Sequence, residues 1–268
     1  MTRLEEVDLV ATTNELFDLS GTVAVVTGSS SGIGQAIALT LADAGATTVI
    51  VGRDAAAVDE AVRLTAGTRE LVGMTCDVTD EGRVLDLFER VEREVGKPTV
   101  LVNNAGAMPK HRLIDTTLEQ WDAVQSVNLR GTFLCTREAA RRMVAGGRGG
   151  RIINISSVSS LHPSVYGNAA YAAAKGGVNS LTRAAALDLM DAGITVNAVL
   201  PGAVRTVPTG RRLESTLQPA GPVTGPGRLP AGLADPEDIS GVVLLLAARA
   251  GRFITGQTIV VDGGFLVT

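Results

Sequence analysis

The chain has 268 residues, 45% of them hydrophobic and 19% charged, which is ample for one large core. Its net charge of −4 gives no reason to expect nucleic acid or an anionic membrane as a partner. The longest apolar run, Gly241 to Ala248, is far below the ~18 residues that span a bilayer.

The N-terminus carries Glu5, Glu6 and Asp8 and no apolar signal core, so a cytoplasmic location is expected. Nothing around Cys76 or Cys135 suggests a bridge, and no metal site is expected. Residues 1–20 form an amphipathic-looking extension, read as a packing or disordered tail. Thr22 to Val26 is a β-branched apolar run of the kind that makes a buried strand. It feeds into Gly28-Ser29-Ser30-Ser31-Gly32-Ile33-Gly34 and then into a helical pattern from Gln35 to Ala42. Strand, glycine-rich turn and helix in that order make an anion site. The backbone can approach phosphates closely, and the helix N-terminus offers free N–H groups and a positive dipole end. The spacing is G-x3-G-x-G, not the standard G-x-G-x-x-G. A glycine triplet alone is as often a flexible loop. With these flanks, Gly28, Ser30, Ser31, Gly32, Ile33 and Gly34 are expected to bind a dinucleotide.

Thr47 to Val51 is a second strand, ending in Gly52-Arg53-Asp54, and Leu71 to Cys76 a third, followed by Asp77 and Val78. Thr99 to Val102 runs into Asn103-Asn104-Ala105-Gly106, and Arg151 to Ile155 into Ser156-Ser157. Small and polar residues at the carboxyl ends of parallel strands are what a ligand crevice needs. Their plainer use is as turn and cap residues. Strand and helix signals alternate throughout, which predicts a parallel sheet with helices on both faces.

Tyr171 and Lys175 are four residues apart in a good helix former, so they share one face. A phenol with pKa about 10 is a poor proton donor or acceptor near neutrality. A cation ~4 Å away is worth roughly 4 kcal/mol at an effective dielectric of ~20, enough to lower that pKa by ~2–3. The plainer reading is an ordinary pair on a solvated helix face. In the loop before it, His162 and Tyr166 either line a pocket or sit in an exposed turn. Val207 to Gly232 is rich in Gly, Pro and Arg with little periodicity. A loop of that length is usually functional or disordered, and it reads as a lid over the substrate. Its Arg211, Arg212 and Arg228 either hold an anionic group or form solvated loop surface.

In order and spacing, Gly28-x3-Gly32-x-Gly34, Asn103-Asn104-Ala105-Gly106, Asn128, Ser157, Tyr171-x3-Lys175 and Pro201-Gly202-Ala203-Val204-Arg205-Thr206 resemble the short-chain dehydrogenase/reductase family, from about Thr22 to Gly264. That resemblance implies a single-domain α/β Rossmann fold over residues 21–268, a doubly wound parallel sheet of about seven strands. It implies an oxidoreductase that moves a hydride between a nicotinamide and a carbonyl or alcohol carbon. Tyr171 would be the general acid–base, and Lys175 would lower its pKa and hold the nicotinamide ribose. Ser157 would bind the substrate oxygen, and Asn128 would anchor a proton-relaying water. Asp77 and Val78 would touch the adenine, and Asn104, Ala105 and Gly106 would line the cofactor. Pro201, Gly202, Val204 and Thr206 would close its nicotinamide end, with Thr206 on the carboxamide.

The expected serine, thirteen residues before Tyr171, falls on Val158. Counting forward from the strand picks Ser157 instead, because insertions go into loops; Ser159 is the fallback. For the cofactor, an NAD site generally has a carboxylate at the end of the second strand. Gly52 occupies that position, Arg53 suits a phosphate, and Asp54 reads as a helix N-cap, so NADP(H) is favoured and NAD(H) is the alternative. The helices holding Thr117 to Ala145 and Ala169 to Asp191, with the end Thr258 to Phe265, resemble the family's subunit contacts, implying a homotetramer, with a dimer second. A catalytically silent cofactor-sensing protein and an isomerase or epimerase with tightly held cofactor are the competing readings. The substrate, a small ketone or alcohol, is not named by the sequence.

Overall fold

Short apolar runs separated by helical ones become strands β1 (Val23–Thr27), β2 (Thr47–Gly52), β3 (Leu71–Thr75), β4 (Val100–Asn103), β5 (Gly150–Ile155), β6 (Ile194–Pro201) and β7 (Thr258–Val261). The computed structural model describes residues 11–65, 67, 70–206, 214–218, 220, 221, 223, 225, 229 and 231–268. Among these the strands pair in parallel in the order β3-β2-β1-β4-β5-β6-β7. The winding direction reverses between β1 and β4. That reversal leaves a crevice outside the carboxyl ends of the two strands.

The helices are α1 (Thr13–Phe17), α2 (Gly32–Asp43), α3 (Ala55–Thr65), α4 (Glu81–Glu94), α5 (Leu118–Gln125), α6 (Gly131–Gly146), α7 (Ala169–Leu189) and α8 (Pro236–Ala247). Alternate strand residues face opposite sides. Val25, Leu101, Ile152 and Val196 pack with Phe88 of α4, Leu134 and Met143 of α6, and Ala186 of α7. Val26, Ile50, Ile153 and Val199 pack with Ile37 and Leu41 of α2 and Val243 of α8. The sheet is therefore buried on both faces, which is why its strands read as continuous apolar runs.

Part of the N-terminal extension is regular structure: Thr12 and Glu15 form a capping box for α1, and Leu19 is buried. The segment is short enough that a single helical turn leaves no periodicity to read. Residues 1–10 lie outside the described residues, as do Arg211, Arg212 and Arg228 of the expected lid.

Candidate active site

The glycine turn joins β1 to α2 and leans on the end of β4. Gly28 has φ +63, and a Cβ there would come within 2.7 Å of the Ala105 Cα. A Cβ on Gly34 would fall on the Gly28 carbonyl oxygen and on Asn104 Nδ2. Only glycine lets these backbones meet. Asn104 Nδ2 donates to the carbonyls of Thr27 (3.1 Å) and Gly28 (2.8 Å), so its side chain serves the turn itself. Thr27, which sequence reasoning missed, accepts from the Asn104 and Ala105 amides at 3.0 and 3.1 Å. Ser31 caps α2 without a side-chain hydrogen bond, leaving the first-turn N–H groups to an anion. Thr206 Cγ2 lies 3.4 Å from where a Cβ on Gly32 would stand, so the segment after β6 reaches the same turn.

The ends of β2 and β3 lie beside it. A Cβ on Gly52 would be 2.9 Å from Val58 Cγ2 and 3.3 Å from Ser30 Oγ, so α3 packs too closely for a side chain there. Asp54 Oδ1 accepts from the Ala57 amide at 3.1 Å and is spent on capping α3. Arg53 is exposed. Burial alone would raise the Asp77 carboxyl, but hydrogen bonds from Thr79 and the charges of Arg53 and Arg83 outweigh it and hold it below the usual carboxylate range. Arg53 and Asp77 are thus neighbours at one end of the crevice.

At the other end α7 brings Tyr171 and Lys175 against β5. Lys175 Nζ donates to the Ile155 carbonyl at 2.7 Å and stands 5.6 Å from the centre of the Tyr171 ring. Ser157 hydrogen-bonds Tyr171 and accepts from the Ser159 amide at 3.1 Å. Ser159 instead pairs with the Ser164 hydroxyl at 2.6 Å and accepts from Asn168 at 3.1 Å, which ties the loop to itself. The hydroxyl facing the tyrosine is therefore that of Ser157.

The electrostatics depart from the expectation. Tyr171 is half-buried as a residue, but its hydroxyl is densely surrounded. Burial pushes the phenol up to about 12, against the lowering effect of the Ser157 hydrogen bond. Burial also pushes the Lys175 ammonium down to about 8. The reason is physical: the sequence argument set the two charges in a medium of high effective dielectric, whereas here both are taken from water and the ammonium is turned to a backbone carbonyl.

Asn128 lies in a widened turn, Ser126–Arg130, between α5 and α6, where the Gly131 amide bonds back to Ser126. Such turns recur at functional sites because they release a carbonyl from the helix ladder. Asn128 Nδ2 donates to the carbonyls of Ala107 (2.8 Å) and Val124 (2.9 Å), and Oδ1 accepts from the Ala107 amide at 3.3 Å. A Cβ on Gly106 would stand 2.8 Å from Asn128 Oδ1 and 3.7 Å from Lys175 Nζ, so this glycine brings the chain against both. Gly202 abuts Asp262, and Val204 pairs with Ala234 in a short parallel bridge.

His162 packs its ring edge against Phe265 at 6.0 Å, and Tyr166 is exposed, so neither is turned toward Tyr171 by any contact seen here. The described residues of the segment read above as a lid dock on a seam that sequence reasoning also missed. The Thr216 amide donates to the Lys110 carbonyl at 2.9 Å, Thr216 Oγ1 meets His111 Nδ1 at 3.1 Å, and the Tyr166 amide donates to Ala220 at 2.8 Å. Lys110 and His111 are buried. Nothing in their local sequence announces this, because the partner lies about a hundred residues away.

A family model described as enoyl-(acyl carrier protein) reductase matches residues 28–266. A short-chain dehydrogenase/reductase of Armillaria gallica is 40% identical over 253 residues, covering 92% of this chain and 96% of that one. The NADP-dependent (R)-specific alcohol dehydrogenase of Lentilactobacillus kefiri is 38% identical, covering 92% and 97%. A crystal structure of a short-chain type dehydrogenase/reductase from Mycobacterium marinum superposes with a TM-score of 0.85 at 33% identity, covering 95% of this chain and 99% of that one.

Proposed function

The chain belongs to the short-chain dehydrogenase/reductase family of oxidoreductases acting on CH–OH groups, and on that premise we propose that it interconverts a secondary alcohol and a ketone by hydride transfer with NADP(H). The observation that carries this reading is Ser157 hydrogen-bonded to Tyr171, with Lys175 Nζ behind the ring. Two hydroxyls converging on one point suit a carbonyl oxygen that becomes an alkoxide, more than a carbon–carbon double bond.

The crowded glycine turn and the uncapped N-terminus of α2 fit a dinucleotide. Gly28, Ser30, Ser31, Gly32, Ile33 and Gly34 would hold the pyrophosphate, with Asn104, Ala105 and Gly106 below it. Arg53, Asp77 and Val78 would hold the adenosine end. Pro201, Gly202, Val204 and Thr206 would close the nicotinamide end, and Lys175 would hold its ribose. Bound there, the nicotinamide supplies or accepts the hydride. Ser157 fixes the substrate oxygen, and Tyr171 gives its hydroxyl proton to that oxygen in reduction or takes one in oxidation. Lys175 favours the phenolate that results, and Asn128 anchors a water behind Lys175 as the route by which the proton is replaced.

The preference for NADP(H) over NAD(H) is supported by Gly52, Arg53 and the capping role of Asp54. A relative described as an NADP-dependent alcohol dehydrogenase supports both cofactor and substrate class. We place the enzyme in the cytoplasm, with one catalytic domain over residues 21–268, a lid at about residues 207–232, and a homotetrameric assembly ahead of a dimer. The exposed Phe133 and Val144 on α6 and Leu187 on α7 support contacts there. Light scattering that returned a monomer mass would contradict the assembly. The test of function is consumption of NADPH over a panel of small ketones. No consumption with any of them, with NADPH bound, would favour a silent cofactor sensor.

A further inference from the structure

Asn154 is a fully buried polar residue one position before the end of the largely apolar strand β5, and the catalytic groups named above do not use it. Burying an amide is costly unless its bonds are made, so its partners indicate what it is for. Asn154 Oδ1 accepts from Asn103 Nδ2 at 2.8 Å, and Asn103 also donates to Thr136 of α6 at 3.0 Å. Asn154 Nδ2 donates to Thr182 Oγ1 at 2.9 Å, and Thr182 donates to the Val178 carbonyl at 2.8 Å. The result is one connected network of hydrogen bonds that joins α6, β4, β5 and α7, with Asn103 donating both ways.

Its end point matters. Tyr171, Lys175, Val178 and Thr182 recur every three or four residues, so they form one stripe of α7. Strand alternation turns Asn154 and Ser156 toward that stripe, with Ile152 between Leu101 and Val196 on the same side. Three bonds then fasten α7 to β5: Asn154 to Thr182, Ser156 Oγ to the Lys175 carbonyl at 3.2 Å, and Lys175 Nζ to the Ile155 carbonyl. The residue at the end of the same strand segment is Ser157. Of the three bonds, only that of Asn154 joins two side chains outside the reacting set.

We propose that Asn154, through Thr182, is a positioning residue that fixes the height of α7 along β5 and so sets Tyr171 opposite Ser157. This rests on the reading of Tyr171 and Ser157 as the acid–base and the oxygen-binding group. Displacements of about 1 Å in such a pair cost up to about 100-fold in rate.

The test uses the full-length enzyme with NADPH and a ketone that it reduces. Thr182→Val removes the hydroxyl at nearly constant volume, so it is far milder than emptying the Asn154 site. We expect kcat to fall about ten- to a hundredfold, with the NADPH dissociation constant within about threefold, because the glycine turn does not depend on this bond. The apparent pKa of the pH–rate profile should move up, because a displaced Tyr171 loses the Ser157 hydrogen bond that lowers it. Thr182→Ser, which restores the hydroxyl, should recover wild-type kcat and profile.

Wild-type kcat in Thr182→Val would overturn the proposal. So would equal losses in the Val and Ser variants, or parallel loss of kcat and cofactor affinity with early melting. Tyr171→Phe is run beside them. Full turnover in that variant would remove the underlying reading and this proposal together, whereas an inactive Tyr171→Phe beside a normal Thr182→Val overturns this proposal alone.

Discussion

Replacing Gly34 by alanine adds one methyl group at the tightest point of the cofactor cradle. The new Cβ would fall on the Gly28 carbonyl oxygen and Asn104 Nδ2 and stand 2.9 Å from the Ser29 Cα. Ordinary carbon contacts are about 3.5–4 Å, so at least one neighbour must move. Expelling the Asn104 amide relieves only one of these contacts and loses its bonds to the Thr27 and Gly28 carbonyls, so the Gly28–Ser29 backbone must shift as well. Two such bonds are worth about 1–3 kcal/mol together, and overpacking strain adds about 1–3 kcal/mol. The better helix propensity of alanine returns about 1 kcal/mol, leaving a net cost of roughly 1–5 kcal/mol. At about 1.4 kcal/mol per decade, a 3 kcal/mol share borne by the turn weakens NADPH by about a hundredfold. The assay is fluorescence titration of NADPH together with a thermal melt. Gly241→Ala, on α8 with nothing within 4 Å of the new Cβ, is the control and should be neutral or slightly stabilising. A Gly34→Ala protein with affinity within threefold of wild type and an unchanged melt would refute the reasoning.

Ser157→Ala should cut kcat by about 10²-fold or more, while Ser159→Ala, which loses only loop bonds to Ser164 and Asn168, should affect KM and loop stability more than kcat; steady-state kinetics on both decide, and the reverse order would move the role to Ser159. Arg53→Ala should weaken NADPH about ten- to a hundredfold, the worth of one charged hydrogen bond, and barely touch NADH; equal weakening of both, or a wild type preferring NADH, contradicts the NADP assignment. Lys175 gives a stability prediction without cofactor. Its folded pKa of about 8 lies below its ordinary value near 10.5, so at this group the unfolded chain binds the extra proton and the contribution of Lys175 to stability rises with pH between those values. Lys175→Met removes that dependence and should melt no earlier than wild type at pH 7, although inactive. A melting-temperature difference between wild type and Lys175→Met that stays constant from pH 8 to 10 would contradict it; the difference is the readout because the buried Cys76 and Cys135 thiols, both pushed up by burial, act in the opposite sense over the same range.

Much of the fold was legible because local patterns and tertiary context agree. The runs at Thr22 to Val26, Thr47 to Val51 and Arg151 to Ile155 became β1, β2 and β5 with boundaries displaced by a residue at most. The glycine turn was readable because strand, turn and helix announce one another. What escaped depends on distant partners. The widened turn at Asn128 is tied by that side chain to Ala107, 21 residues away. The Asn154 chain carried one visible sign, a polar residue inside an apolar run, which is easily read as a strand end. The Lys110–Thr216 seam carried none. The direction of the Tyr171 and Lys175 shifts was also hidden, because it depends on how deeply the pair is buried and not on its spacing.

The central claim is that the Tyr171 hydroxyl moves the proton while the cofactor moves the hydride. Tyr171→Phe keeps the ring against Lys175 and deletes only that oxygen. The decisive measurement is single-turnover NADPH oxidation with a saturating ketone in wild type and Tyr171→Phe, beside NADPH affinity for each. The account predicts unchanged affinity and a rate lower by at least about 10²–10⁴-fold. A variant that binds NADPH normally and turns over at near wild-type rate would contradict it.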